Sequence, residues 1–235
     1  MEKPGTLTLK FGLYAALALA LLTIITFGFA IIAVPPTEPF CQGNCMEYPY
    51  SDLLLYYPRD YNWMYLAIFQ IFTFILLFIT FHNLVPAEKK IFSSTGVALT
   101  LISSTVLLID YFIQFAVIPI SMMKGETEGI ALLTQYNGHG VFIALEELGY
   151  ITMSIAMFFM VPVFPASNKL NKTIRWVLFL PLLLNIISFI ILSIKFGIDR
   201  NYRFEVITIS IDWLFLIATG ILTAIYFRRL LIEKN

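Results

Sequence analysis

The sequence predicts an all-α integral membrane protein, a bundle of six transmembrane helices with both chain ends on the cytoplasmic side. Two observations carry this reading. The 235-residue chain is 59% hydrophobic and 13% charged, against roughly 45–50% and about 25% in soluble domains. Its apolar residues also fall into six stretches of the length, about 20 residues, that crosses roughly 30 Å of hydrocarbon. This composition excludes a soluble globular enzyme. With 12 Gly, 11 Pro and no low-complexity tract it also excludes a disordered or fibrous chain. A net charge of zero with scattered Lys and Arg leaves no footprint for nucleic acid.

The six stretches are residues 11–34, 62–81, 91–122, 138–163, 176–193 and 206–227, which make residues 1–235 a single transmembrane domain. Helices are required, since lipid satisfies no backbone group. At about 1.5 Å per residue the third stretch reaches roughly 45 Å, so it tilts, bends or projects from the bilayer. The first stretch follows Lys3 and Lys10 but is longer than the roughly 7–15 apolar residues of a signal peptide, and no small-x-small site follows it, so it is read as a retained helix. No inverted repeat relates the two halves, since Asp110 lies late in the third stretch and Asp212 early in the sixth.

Loop charges give the orientation. With the N-terminus inside, Lys3, Lys10, Lys89, Lys90, Lys169, Lys172, Arg175, Arg228, Arg229 and Lys234 are cytoplasmic, and Arg59, Lys124, Lys195, Arg200 and Arg203 are outside. This bias is the one that sets topology. The outer loops are acidic, with Glu38, Glu47, Asp52, Asp60, Glu126, Glu128, Asp199 and Glu205, and Tyr61, Trp63, Tyr65 and Trp176 read as interfacial aromatics.

The long outer loop, residues 35–61, holds both cysteines, Cys41 and Cys45. An extracytoplasmic loop is where disulfides persist, and a structural bridge closing a tight turn is the plain reading. A thiol-redox relay would need a second cysteine pair, and zinc wants about four ligands, so neither a metal nor a cofactor is expected. The tyrosines of the loop, Tyr48, Tyr50, Tyr56, Tyr57 and Tyr61, suit either a lid over the bundle or headgroup anchors.

Four acids fall within the stretches: Asp110, Glu146, Glu147 and Asp212. Each costs on the order of 2.5–3.5 kcal/mol at the bilayer centre, so such residues mark candidate sites. They belong to polar stripes at helical spacing: Ser103, Asp110, Gln114 and Ser121; His139, Glu146 and Tyr150 with Met153 and Met157, flanked by Glu147 and Ser154; and Thr208, Asp212, Thr219 and Thr223. Gln70, Thr73, Asn185 and Ser188 add weaker polar positions. The bland alternative is interhelical hydrogen bonding, which accounts for Ser, Thr, Asn and Gln better than for four carboxyls. No Lys or Arg lies in the stretches, so these acids are protonated, paired with a loop cation, or holding a cation from outside. The chain has no phosphate-binding Gly-rich loop, His-Glu-x-x-His, Gly-x-Ser-x-Gly or Arg-rich voltage-sensing helix, and only two histidines, His82 and His139.

Cys41-x-x-x-Cys45, the run from Pro58 to Tyr65, Gln135-Tyr136-Asn137-x-His139-Gly140 and the run from Ala144 to Tyr150 resemble a family of uncharacterised prokaryotic multi-pass, six-helix membrane proteins with no assigned activity. The resemblance implies a prokaryotic plasma membrane and no catalytic role. The expected function is binding or transport of a small cationic or proton-coupled solute in an outward-facing acidic cavity. Asp110, Glu146, Glu147 and Asp212 supply its charge, and Gln114 and Tyr150 orient the ligand. Two alternatives stand beside it: an intramembrane enzyme using paired carboxylates on a lipid-like substrate, and a structural or accessory subunit. The expected partners are the bilayer and a small cation, amine or lipid-like ligand, without nucleic acid; protein partners stay open.

Overall fold

A computed structural model describes residues 5–33, 36–41 and 43–234; Lys3, Val34, Pro35 and Gln42, used in the sequence reading, lie outside the described residues. The described residues form helices and turns without strands: α1 Thr6–Ile32, α2 Asn62–Leu84, α3 Lys90–Ala116, α4 Ile118–Met123, α5 Ile130–Leu133, α6 Val141–Met160, α7 Lys169–Phe196 and α8 Asn201–Ile232. Five stretches are long and apolar enough to cross a membrane: Thr6–Ile32, Arg59–Leu84, Ala87–Met123, Val141–Val163 and Lys169–Ile232. The last spans 64 residues because α7 and α8 are joined by only the tight turn Gly197–Arg200. The two helices pack against each other, so this stretch is a helical hairpin.

Helix ends differ from the apolar windows for identifiable reasons. The overlong third stretch breaks at Val117 (φ −110°, ψ −54°), just before Pro119 enters the first turn of α4. Proline has no N–H to continue the ladder of α3. Helix α7 begins seven residues before the apolar window, at Lys169, because Asn168 caps it by accepting the Asn171 N–H at 2.9 Å. Helix α8 likewise starts at Asn201, a full turn before the window.

The six long helices close a ring in which α1 packs on α2, α2 on α3, α3 on α6, α6 on α7, α7 on α8 and α8 on α1, while α6 also touches α8 across the middle. The start of α1 and the end of α8 lie at the same end of the bundle, where Gly12 abuts the Phe227 ring. That end is closed by aromatics, with Phe81 at 5.1 Å from Phe164 and 6.3 Å from Phe227, centroid to centroid. Two glycines in the helix interiors permit close crossings. A Cβ on Gly220 would sit 2.7 Å from the Ala16 carbonyl oxygen, and one on Gly149 would strike the Leu107 side chain at 2.5 Å. Small residues at such positions let backbones approach in the way membrane helices pack. Gly220→Ala should therefore lower stability by about 1–3 kcal/mol through overpacking. Gly28→Ala, whose Cβ meets nothing within 4 Å, should not; thermal midpoints of the two purified variants check this.

The segment between α1 and α2 is ordered across the opposite end. Cys41 and Cys45 form a disulfide with Cα atoms 5.7 Å apart, and Met46 N–H donates to the Pro36 carbonyl at 2.7 Å. Tyr50, Leu53, Asp60 and Tyr61 are buried, while Tyr48 and Tyr57 are exposed. Three sequence expectations need correction here. Tyr61 and Trp63 are buried in the bundle instead of lying at its surface, although Trp176 and Tyr65 are exposed. Asp60 is a buried residue, paired with Arg59 at 2.6 Å. Glu205, read as an outer-loop acid, lies in the first turns of α8 and is buried.

Candidate functional site

Beyond the close contact at Gly220, toward the end away from Gly12, α1 and α8 carry large side chains, Phe27 on one and Tyr202 and Trp213 on the other. Between these side chains and α2 and α6 lies a cavity of about 270 Å³. Phe27 and Ala30 of α1, Trp63 of α2, Phe142 and Ile143 of α6, and Tyr202, Ile209 and Trp213 of α8 make its walls largely apolar and aromatic. The exposed Ile31 and the partly exposed Val206 and Ser210 form its rim. Phe40 and Gln135, from the segments that cap this end, also reach it. The cavity is thus bounded by α1, α2, α6 and α8, whereas the sequence stripes pointed to the third, fourth and sixth long helices; the third, α3, stands behind the wall.

Two acids line the cavity, Glu146 of α6 and Glu205 of α8, near enough for each carboxyl to feel the other. Tyr111 OH donates to Glu146 Oε1 at 2.8 Å. With its single proton so used, Tyr111 accepts from Tyr150 OH at 2.7 Å, and Tyr150 accepts from Trp213 Nε1–H at 2.9 Å. Three donors in series therefore point at one carboxyl oxygen, an arrangement whose bonds reinforce one another and favour negative charge on Glu146. Glu205 Oε2 has no hydrogen-bond partner among the described residues. The aromatic frame is continuous: Trp213 meets Phe27 at 5.6 Å and Trp63 at 5.8 Å, and Trp63 meets Tyr111 at 5.1 Å.

The sequence-selected residues divide into groups. Asp110 is buried close enough to Glu146 and Glu205 to feel both, without lining the cavity. Glu147 is half-buried and faces Arg200. Gln114 lies away from the cavity: its Nε2 donates to the Leu133 carbonyl at 2.7 Å and its Oε1 accepts Gln135 N–H at 2.9 Å, so it pins the segment before α6. Asp212 belongs to a second cluster, where Oδ1 accepts from Ser154 Oγ at 2.6 Å and lies 3.4 Å from Asn185 Nδ2. His139 is exposed, with no carboxyl partner among the described hydrogen bonds. Among the described residues no group of three His, Cys, Asp or Glu side chains could hold a metal ion.

Glu205, Tyr111 and Trp213 were missed from the sequence. Glu205 lies seven residues before Asp212 and three before Thr208, on the same helical face, and starting the helix at 206 hid it. The polar stripes also passed over aromatic hydroxyl and indole groups, which have an apolar body and one hydrogen-bonding tip.

The capping segments have their own polar lock. Tyr136 OH donates to Asp60 Oδ2 at 3.2 Å, and the Tyr136 ring meets Tyr61 and Tyr56. Burial, then the neighbouring Tyr61 and Asp60, pushes the Tyr136 phenol above its usual range. Below about pH 10, the ordinary phenol value, folded and unfolded chains both keep this proton. Above it the unfolded chain releases the proton first, so stability is lost as pH rises past that value toward the folded one. Tyr136→Phe should cost about 1–2 kcal/mol at neutral pH through the lost hydrogen bond. It should also make the alkaline decline of the thermal midpoint between pH 9 and 11 shallower by one proton's share. Parallel melts of wild type and variant across that range check both.

Comparison with known proteins finds no matching family model, no similar curated protein and no similar solved structure.

Proposed function

We propose that this chain is a six-crossing membrane protein with both ends cytoplasmic, which binds or transports a small hydrophobic amine in a cavity open to the outside. The observation that carries this reading is the Glu146–Glu205 carboxyl pair at the polar end of an aromatic cavity with no Lys or Arg in its lining. Two carboxyls near each other in an apolar site cannot both be ionised unless a positive charge joins them. An ammonium group supplies that charge, and the faces of Trp63, Trp213 and Tyr202 favour a cation near them. The hydrophobic part of the ligand takes the apolar wall. At about 270 Å³ the cavity suits a small arylalkylamine better than a long lipid chain.

The hairpin of α7 and α8, and the proximity of the start of α1 to the end of α8, support an even number of crossings. The excess of Lys and Arg on that side supports its being cytoplasmic, which puts the disulfide-bearing loop outside. A prokaryotic plasma membrane is the setting that the sequence resemblance implies.

Proton coupling comes with the binding mode. Glu205 surrenders its proton when the ammonium arrives, so each amine bound releases one proton. Thermal unfolding of the detergent-purified protein against arylalkylamines, metal ions and lipids tests the reading. A ligand at a hundredfold excess over its dissociation constant stabilises by about 2.7 kcal/mol. The expected result is stabilisation by amines with proton release in weak buffer; an unchanged midpoint with every amine defeats it.

The same carboxyl pair favours a second reading, acid–base chemistry on a lipid-like substrate, because one protonated and one ionised carboxyl are what such a reaction uses. Product formation with a bell-shaped pH dependence distinguishes an enzyme from a binder.

A further inference from the structure

One turn along α6 from Tyr150 lies a second polar cluster that the amine site does not use. Ser154 of α6, Asn185 of α7 and Asp212 of α8 meet there, all buried, with Asn185 Nδ2 2.8 Å from Ser154 Oγ and Ser154 Oγ 2.6 Å from Asp212 Oδ1. Thr208, buried one turn before Asp212 on the same face of α8, belongs to the same region. Three oxygens of this cluster have no hydrogen-bond partner among the described residues: Asp212 Oδ2, Asn185 Oδ1 and Thr208 Oγ1. Leaving one buried polar group unmet costs about 1–3 kcal/mol, and three on neighbouring helices mark a place where an occupant belongs.

The chemistry of the donors selects the occupant. Every unmet atom is an oxygen, the ligand type of hard cations. The cluster holds a single carboxylate, which matches one positive charge and not two. No basic side chain supplies that charge, since residues 141–160, 177–194 and 204–227 contain no Lys or Arg. Ionised without a cation, Asp212 would be an uncompensated buried charge. We propose that Asp212, with Asn185, Ser154 and Thr208, forms a sodium-ion site at the junction of α6, α7 and α8.

The site is separate from the amine cavity, which Asp212 does not line, but Tyr150 lies in the field of both Glu146 and Asp212. Tyr150 also belongs to the donor chain that ends on Glu146. Occupation at Asp212 is therefore felt at the cavity, and use of sodium as a coupling ion rests on the binding or transport reading above, whereas the site itself does not.

Radioactive sodium binding to the detergent-purified full-length protein, at fixed ionic strength with potassium as the balancing cation, tests the site. The expected result is saturable binding of one sodium ion per chain, weakened at least tenfold by Asp212→Asn and reduced by Ser154→Ala and Asn185→Leu, but retained by Gly28→Ala, whose Cβ meets nothing within 4 Å. Wild-type protein that binds no sodium saturably overturns the inference without help from any variant, as does undiminished binding by Asp212→Asn. If Asp212→Asn does not fold, Ser154→Ala and Asn185→Leu decide, and unchanged sodium affinity in both counts against the site. Sodium binding without amine binding in wild type retires the amine reading and leaves this site standing; amine binding without sodium binding does the reverse.

Discussion

Glu205→Gln is expected to abolish binding of a hydrophobic amine while leaving the fold intact. Removing one member of a desolvated charge pair costs about 2–5 kcal/mol of binding, which is a loss of roughly 30-fold or more. The fold survives because the Glu205 Oε2 position has no partner to lose, and a glutamine amide is a neutral hydrogen-bond donor as the protonated acid is. The variant is in effect the proton-loaded state made permanent, so it should also release no proton on mixing with amine. Glu146→Gln should lose binding as well, but it disturbs the Tyr111 donor at 2.8 Å and so mixes ligand loss with loss of stability. Calorimetric titration alongside thermal melts separates these effects, and wild-type affinity in Glu205→Gln contradicts the assignment of the carboxyl pair.

Trp213→Ala is expected to be the most damaging single substitution for stability. Its fully buried indole joins α8 to α1 through Phe27, to α2 through Trp63 and to α6 through the bond to Tyr150 OH at 2.9 Å. Truncating a buried aromatic of this size costs about 3–5 kcal/mol. Trp213→Phe keeps most of the packing and loses the N–H, so it should cost only about 1 kcal/mol. Denaturation of the three proteins in one detergent gives the ranking. A Trp213→Ala midpoint equal to wild type would remove the indole from its assigned role as the joint of four helices.

Much of the fold was legible from apolar run length. The windows 62–81 and 138–163 correspond to α2 and α6 with small shifts at their ends. Hydropathy could not see α7 starting at Lys169 or α8 at Asn201, because polar first turns form helix through capping and packing and carry no apolar signal. The same blindness hid Glu205, and with it the second half of the carboxyl pair. Glu146 and Tyr150 were visible as an i, i+4 pair on one face, and they do meet through Tyr111. Gln114 looked equivalent in the sequence, but rotation about the α3 axis and the position of residues 133–135 turned its amide to the backbone. Sequence periodicity gives the face of a helix; which neighbour that face meets is set by packing, and the small residues at Gly220 and Gly149 that govern it carry no polar mark.

The most direct test of the cavity's charge preference is a calorimetric comparison of 2-phenylethylamine with its uncharged isostere 2-phenylethanol, titrated into the same detergent-purified wild-type protein. Both fill the same apolar space, and only one brings a positive charge to Glu146 and Glu205. The account predicts that the amine binds at least tenfold more tightly and releases one proton per site. Equal affinities, or binding of the alcohol alone, would contradict it.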